Sequence, residues 1–286
     1  MRELEGRVAV VTGGASGIGR ALGARFARAG MRVVLADVEA PALDAAVEAL
    51  RGEGLAAEGV VTDVSRRESV EALAERVYAR HGAAHLVFNN AGIGTDETRT
   101  PLWASSDSDW TWAFRVNVWG VLHGIRAFVP RMLAGGEEGC VVNTSSGNGG
   151  LYPLPFTPIY ASTKAVVTTI SEVLHHQLRM AGAKLRAAVL FPGPHVVDTG
   201  IFRAARNRPA DLPPERELPP PPTLDDLREM TERAGGRFAV TSPEEVADFA
   251  FDALREGRFW LLPESPDTDA RLQARTASIL ARHDPT

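Results

Sequence analysis

Arg7-Val8-Ala9-Val10-Val11-Thr12-Gly13-Gly14-Ala15-Ser16-Gly17-Ile18-Gly19 joins two kinds of chain. The Arg7–Val11 run is continuous, apolar and rich in β-branched residues, as a strand buried on both faces of a parallel sheet reads. A glycine-rich turn follows, and then a helical pattern with Leu22 and Phe26 on its inner face. Strand, glycine turn and helix in that order predict a phosphate site. The glycines permit a tight turn, and backbone N–H groups at a helix N-terminus face a bound anion. The competing reading is a tight turn that needs glycine for its backbone angles alone.

The same alternation continues along the chain. Met31–Ala36, Leu55–Val61, Ala84–Phe88, Gly139–Thr144 and Leu185–Phe191 read as further buried strands. Helical spacing separates them, as in Leu43, Val47 and Leu50, in Val70, Leu73 and Val77, and in a long helix from Trp110 to Pro130. Phe259–Leu262 adds a seventh strand. Strands alternating with helices predict an α/β fold: a doubly wound parallel sheet of about seven strands, helices on both faces, in one domain covering 1–286. Ligand residues of such sheets collect at the C-terminal ends of the strands.

Composition removes several classes of function. A net charge of −5 and a pI near 5.8 leave no basic footprint for nucleic acid. Apolar stretches are strand-sized, so none is expected to span a membrane. Met1–Gly6 lacks the apolar core of a signal peptide. The single Cys140 excludes an internal disulfide and sits in an apolar run as a buried thiol. Cytoplasm is the expected compartment. Neighbouring His175 and His176 point about 100° apart on a helix, so no metal site is expected.

Chemistry concentrates in Tyr160-Ala161-Ser162-Thr163-Lys164. Four residues apart on a helix, the phenol and the ammonium share a face. A free phenol titrates near ~10, and a fixed positive charge favours its phenolate. The pair is a candidate acid–base couple. Asp37 closes the second strand 18 residues after Gly19, near the ~20 expected of an acid holding ribose hydroxyls. Val38 and Glu39 follow it, so the carboxylate faces a 2′-OH rather than a 2′-phosphate, and NAD is expected over NADP. Arg20 is the one counter-signal. Asp63 reads equally as a contact to adenine or as a helix cap competing with Ser65. Asn89-Asn90-Ala91-Gly92 suits close backbone approach, and Asn117 is a partly buried amide in need of partners. Trp112 and Trp119 suggest a second apolar stripe, a candidate subunit interface.

From Gly200 to Thr241 the alternation breaks, with seven prolines between Pro209 and Pro222. This segment is expected to be a substrate lid or a disordered insertion. Ser242-Pro243-Glu244-Glu245 starts a capped helix, and 265–286 is expected to end in a terminal helix packed on a neighbouring subunit.

As an ordered set, Thr12–Gly19, Asp37, Asp63-Val64, Asn89–Gly92, Asn117, Ser146, Tyr160-x-x-x-Lys164 and Pro192-Gly193 resemble the short-chain dehydrogenase/reductase family, with its Rossmann fold. The likeness covers roughly residues 6–199 and 242–262. It implies that Tyr160 exchanges a proton with the substrate oxygen and that Lys164 lowers its pKa and binds the nicotinamide ribose. Ser146 would polarise the reacting carbonyl or alcohol, and Asn117 would hold a water in a proton relay. Gly13, Ser16, Gly17, Ile18, Gly19, Asp37, Asp63, Val64, Asn90, Ala91 and Gly92 would bind the dinucleotide. Pro192, Gly193, Val197 and Thr199 would meet its nicotinamide end. Two departures stand out. Ser146 lies 14 residues before Tyr160, one more than usual in the family, which leaves Ser145 as a reserve. The loop after Pro192-Gly193 is stretched, bringing His195 near, although a surface loop histidine is its simpler reading.

The resemblance implies an NAD-dependent oxidoreductase interconverting a secondary alcohol and a ketone, in a homodimer or homotetramer. Trp103, Leu151, Tyr152, Leu154, Phe156 and Phe202 suggest a bulky hydrophobic small-molecule substrate. The alternatives are an NADP-dependent ketoreductase, a non-catalytic dinucleotide-binding regulator, and an extended-branch sugar-nucleotide epimerase or dehydratase. The glycine spacing disfavours the last.

Overall fold

The computed structural model describes residues 3–98, 100–217, 220, 223–233 and 238–285. Met1 and Arg2 of the N-terminal stretch, and Pro219, Pro221 and Pro222 of the proline run, lie outside those residues. In chain order the elements are β1 (Val8–Thr12), α1 (Gly17–Arg28), β2 (Arg32–Asp37), α2 (Ala40–Gly52), β3 (Ala57–Val61), α3 (Arg67–His81) and β4 (Leu86–Asn89). Then come α4 (Asp107–Ala113), α5 (Gly120–Gly135), β5 (Gly139–Thr144), a single turn α6 (Gly147–Gly150), α7 (Pro158–Met180) and β6 (Leu185–Leu190). The chain closes with β7 (Val196–Val197), α8 (Leu224–Arg233), β8 (Val240–Thr241), α9 (Pro243–Glu256), β9 (Trp260–Leu261) and α10 (Pro266–Ala281).

Seven strands form one parallel sheet in the order β3-β2-β1-β4-β5-β6-β9. Its pleat divides the core. Ala9, Val11, Val33, Leu35, Cys140 and Val142 pack under α1, α2 and α9, while Val8, Val10, Val34, Ala36 and Val141 pack under α3, α5 and α7. Strands buried on both faces carry apolar side chains at every position, which explains their unbroken apolar runs. Phe26 of α1 anchors the first side, its ring 5.4 Å from Phe88 and 5.3 Å from Phe251. Burying one such side chain contributes about 1.5–3 kcal/mol. The strand order turns at β1 and β4, so the crevice lies at the C-terminal ends of those strands. Among the described residues no helix is long and apolar enough to cross a membrane.

One expectation is corrected. The expected Trp110–Pro130 helix is three pieces: α4, a π-helical stretch over Phe114–Trp119, and α5. The wider π turn changes the angular spacing, and the apolar stripe splits. Trp112 is buried beneath the Arg208 guanidinium, which lies 5.0 Å from its ring centre, while Trp119 is exposed. The 200–241 stretch, in turn, holds a 3₁₀ helix (Gly200–Asn207), the helix α8, and β8, which pairs with β7. Charge pairs described below fix its first part.

Candidate active site

The glycine turn leaves β1 with Gly13 at φ +67°, a conformation costly for other residues. A Cβ on Gly19 would stand 2.0 Å from the Gly13 carbonyl oxygen, so turn and helix approach too closely for any side chain. Ser16, at the N-cap of α1, makes no side-chain cap bond, and the first turn carries no acid. Two other helices are finished differently. α4 has a Ser106 cap with Asp107 and Asp109, and α9 has a complete Ser242–Glu245 capping box. The N-terminus of α1 therefore keeps unsatisfied N–H donors and its positive dipole end facing the crevice. These residues fit a dinucleotide pyrophosphate.

Asp37 flanks that turn. Its Oδ2 accepts from the Ala15 N–H at 3.0 Å and its Oδ1 from the Glu39 N–H at 3.1 Å, so the carboxylate is fixed in direction beside the glycine turn. The counter-signal Arg20 is exposed. Asp63 is not the cap of α3: its Oδ1 accepts from the Ser65 N–H at 2.9 Å and hydroxyl at 2.7 Å, closing a turn before α3, whose N-cap is Arg66. Val64 is buried, with its carbonyl bonded to His123 Nδ1 at 2.9 Å. Asn90 braces three strand ends, donating from Nδ2 to the Thr12 carbonyl at 3.1 Å and accepting from the Thr144 hydroxyl at 3.3 Å. Ala91 N–H donates to Thr12 Oγ1 at 3.1 Å. Behind them Asn89 bonds Asn143, which bonds Ser171 on α7. On the far side, Pro192 and Gly193 follow β6, and Val197 lies in β7. The Thr199 side chain would sit 3.1 Å from a Cβ placed on Gly17, bringing it against the phosphate turn. His195 is exposed, as a loop histidine should be.

Tyr160, Ser146 and Lys164 converge beyond β5. The Ser146 hydroxyl caps α6 by accepting from the Asn148 N–H at 3.2 Å, and it hydrogen-bonds the Tyr160 hydroxyl. Ser145 is committed elsewhere, donating to the Lys164 carbonyl at 3.0 Å and sharing a 2.7 Å bond with Thr168. The longer Ser–Tyr interval thus leaves Ser146 as the partner. Asn148 absorbs the extra residue by tying the loop to Thr157 at 2.7 Å and to the Leu154 N–H at 2.9 Å. Lys164 is buried, and its Nζ donates to the Thr144 carbonyl at 2.9 Å. Burial lowers its pKa to about 8. Burial pushes the Tyr160 phenol up to about 12, opposed by the Ser146 hydrogen bond and assisted by the Glu97 charge. The net direction for the phenol is upward here because burial is the largest influence on it. The ammonium lies 5.5 Å from the ring centre and spends its bond on Thr144.

Asn117 is fully buried. Its Oδ1 accepts from the Ile93 N–H at 2.8 Å, and its Nδ2 donates to the Ile93 carbonyl at 3.0 Å and to Thr163 Oγ1 at 3.1 Å. The side chain thereby clamps the 93 loop to α7. A Cβ on Gly92 would meet both Asn117 Oδ1 and Lys164 Nζ within 3.5 Å, so these groups crowd one point.

Several site residues have no local signature in the sequence. Glu97 is buried, and its carboxylate accepts from the Ile159 N–H at 2.5 Å and the Tyr160 N–H at 3.0 Å, capping α7 from another loop. Arg208 pairs with Asp109 at 2.6 Å with both side chains buried, and it also bonds Ser108 and the Leu212 carbonyl. Arg206 and Asn207 each reach Glu39 at 2.6 Å, just beyond the end of β2. Arg216 bonds the Asp96 carbonyl and the Thr100 hydroxyl. Of the expected substrate-facing residues, Trp103 and Phe156 are exposed, whereas Leu151 belongs to the core with Val189 and Phe191. Leu151 is corrected to a packing residue, because α10 lies over it through Arg275. Among the described residues no cluster of three or more His, Cys, Asp or Glu gathers as metal ligands.

A parallel doubly wound sheet with a glycine turn and a Ser–Tyr–Lys cluster at its C-terminal edge defines a class of dinucleotide-dependent oxidoreductase fold. The sequence signature of the short chain dehydrogenase family matches residues 7–209, and the chain belongs to that family. It is 35% identical over 95% of its length to a 1-deoxy-11-beta-hydroxypentalenate dehydrogenase of Streptomyces exfoliatus, covering 87% of that protein. It is 30% identical over 92% of its length to a C alpha-dehydrogenase of a Sphingobium species, covering 82% of it. A short chain dehydrogenase/reductase from Burkholderia phymatum, solved with NAD, superposes with a TM-score of 0.89 at 40% identity, over 100% of this chain and 98% of that one.

Proposed function

We propose that the chain is an NAD-dependent dehydrogenase of secondary alcohols, working in reverse as a ketone reductase. The observation that carries this reading is the Ser146–Tyr160 hydroxyl pair beside buried Lys164, at the edge of a crevice whose α1 N-terminus is left uncapped. The backbone of Gly13, Ser16, Gly17, Ile18 and Gly19 would hold the pyrophosphate, and Asp37 the adenosine ribose. Asp63, Val64, Asn90, Ala91 and Gly92 would line the middle, with Pro192, Gly193, Val197 and Thr199 at the nicotinamide end. When bound, the dinucleotide accepts or supplies the hydride. Ser146 orients the reacting oxygen, and Tyr160 gives it a proton or takes one. Lys164 supplies positive charge behind the phenol when protonated. With its phenol held high, Tyr160 is protonated at neutral pH, the state needed to reduce a ketone.

NAD preference is supported by the fixed Asp37 carboxylate and by Glu39, which occupies the Arg206 cation the fold brings nearby. A bulky hydrophobic substrate is supported by exposed Trp103 and Phe156 and by the relative named for a hydroxypentalenate. Residues 200–217 serve as a lid held by their arginines. Exposed Trp119, Leu133, Val173 and Met180, on or beside α5 and α7, support a homodimer or homotetramer. The test is NAD and NADP reduction with a panel of secondary alcohols. The expected result is turnover with kcat/KM favouring NAD. Binding of NAD without turnover of any alcohol, or an NADP preference, would overturn the reading.

A further inference from the structure

We propose that Glu97 is a positioning residue for proton transfer, joining the loop after β4 to the first turn of α7 and placing a fixed negative charge beneath Tyr160. The inference rests on Tyr160 being the proton-transfer group. α7 begins without a cap of its own, since Thr157 at its N-cap makes no side-chain bond to the helix N–H groups. Its first N–H groups are unsatisfied unless something reaches them. Glu97 supplies that across 62 and 63 residues of sequence, with one oxygen on Ile159 and the other on Tyr160 itself. The carboxylate is 2% exposed, and such a group is seldom buried unless its bonds repay desolvation.

The loop is itself held. The Thr100 N–H donates to the Glu97 carbonyl at 2.9 Å, and Arg216 bonds both Asp96 and Thr100. Segment 200–217 thus reaches the catalytic helix through the two neighbours of one carboxylate. The charged and titratable groups around Glu97 are Asp96 on its own loop, within 4.0 Å of Arg216, Asp109 on α4, paired with Arg208, and Tyr160 on α7. Burial raises the Glu97 pKa, opposed by its two backbone bonds. A negative charge there disfavours the phenolate.

The chain has three tyrosines, so tyrosinate absorbance of the NAD complex, with the Tyr160→Phe curve subtracted, isolates the Tyr160 titration without any substrate. Glu97→Gln keeps the side-chain shape and removes the charge. The Tyr160 midpoint is expected to fall by about one pH unit. An unchanged midpoint overturns the proposal. Glu97→Asp keeps the charge, so its midpoint should stay near wild type. A fall in Glu97→Asp as large as in Glu97→Gln assigns the effect to lost helix packing, and it too overturns the proposal. Wild-type turnover by Tyr160→Phe would sink the assignment of Tyr160 instead, a separate outcome.

Discussion

The two walls of the crevice are built by different means. On the wall formed by β1, α1 and β2, groups are placed by main chain: glycines too crowded for a Cβ, and Asp37 steered by two N–H bonds. On the opposite wall, long side chains do the placing: Arg208 on Asp109, Arg216 on the 96–100 loop, Glu97 on α7. Backbone geometry tolerates almost no substitution, whereas side-chain ties can be exchanged one at a time. On the function proposed, the first wall would serve a constant cofactor and the second a variable substrate.

Four experiments break or sharpen that contrast. Tyr160→Phe should lower kcat about a thousandfold while leaving the NAD dissociation constant unchanged. Stopped-flow turnover and cofactor titration read the two separately, and a matching loss of NAD affinity would show that the walls are not independent. Gly19→Ala should do the reverse, weakening NAD about a hundredfold, or about 2.7 kcal/mol, because the added methyl strikes the Gly13 carbonyl. Calorimetry decides it. Arg208→Ala leaves Asp109 buried without its partner, costing about 3 kcal/mol of stability. Denaturant unfolding measures that cost, and substrate KM should rise with NAD binding intact. The smallest effect is graded. Oxidation needs the Tyr160 phenolate, and its pKa lies above the assay range, so kcat/KM for alcohol oxidation should climb about tenfold per pH unit between about 6 and 8. Above about 8 Lys164 loses its charge, and the slope should flatten. A pH-independent rate below 8 would exclude the phenol as base.

The legibility of the molecule divides along the same line. Strand runs such as Val8–Val11 and Leu185–Leu190 were readable because residues buried on both faces leave an unbroken local pattern. The glycine turn, Asp37, Ser146, Tyr160 and Lys164 stood out for a similar reason: each is placed by its own strand end or helix. Trp112 was misread because the π turn alters helical spacing without any residue that announces it. Glu97, Asp109 and Arg208 carried no signal, since their partners lie 62 to 99 residues away and nothing local marks a charge for burial. Leu151 lies in a Leu-Tyr-Pro-Leu loop that reads locally as a pocket, and its burial depends on α10, more than a hundred residues away in sequence.

Cys140 gives the sheet an internal clock. It is the chain's one cysteine, sits 2% exposed between Leu86 and Arg186, and its thiol is pushed up to about 11 by burial. Neither access nor thiolate is available while β4, β5 and β6 stay together, so alkylation at neutral pH waits for the middle of the sheet to part. The rate at which a thiol reagent labels the protein therefore counts those openings, and cofactors, substrates or substitutions that tighten the centre will slow it.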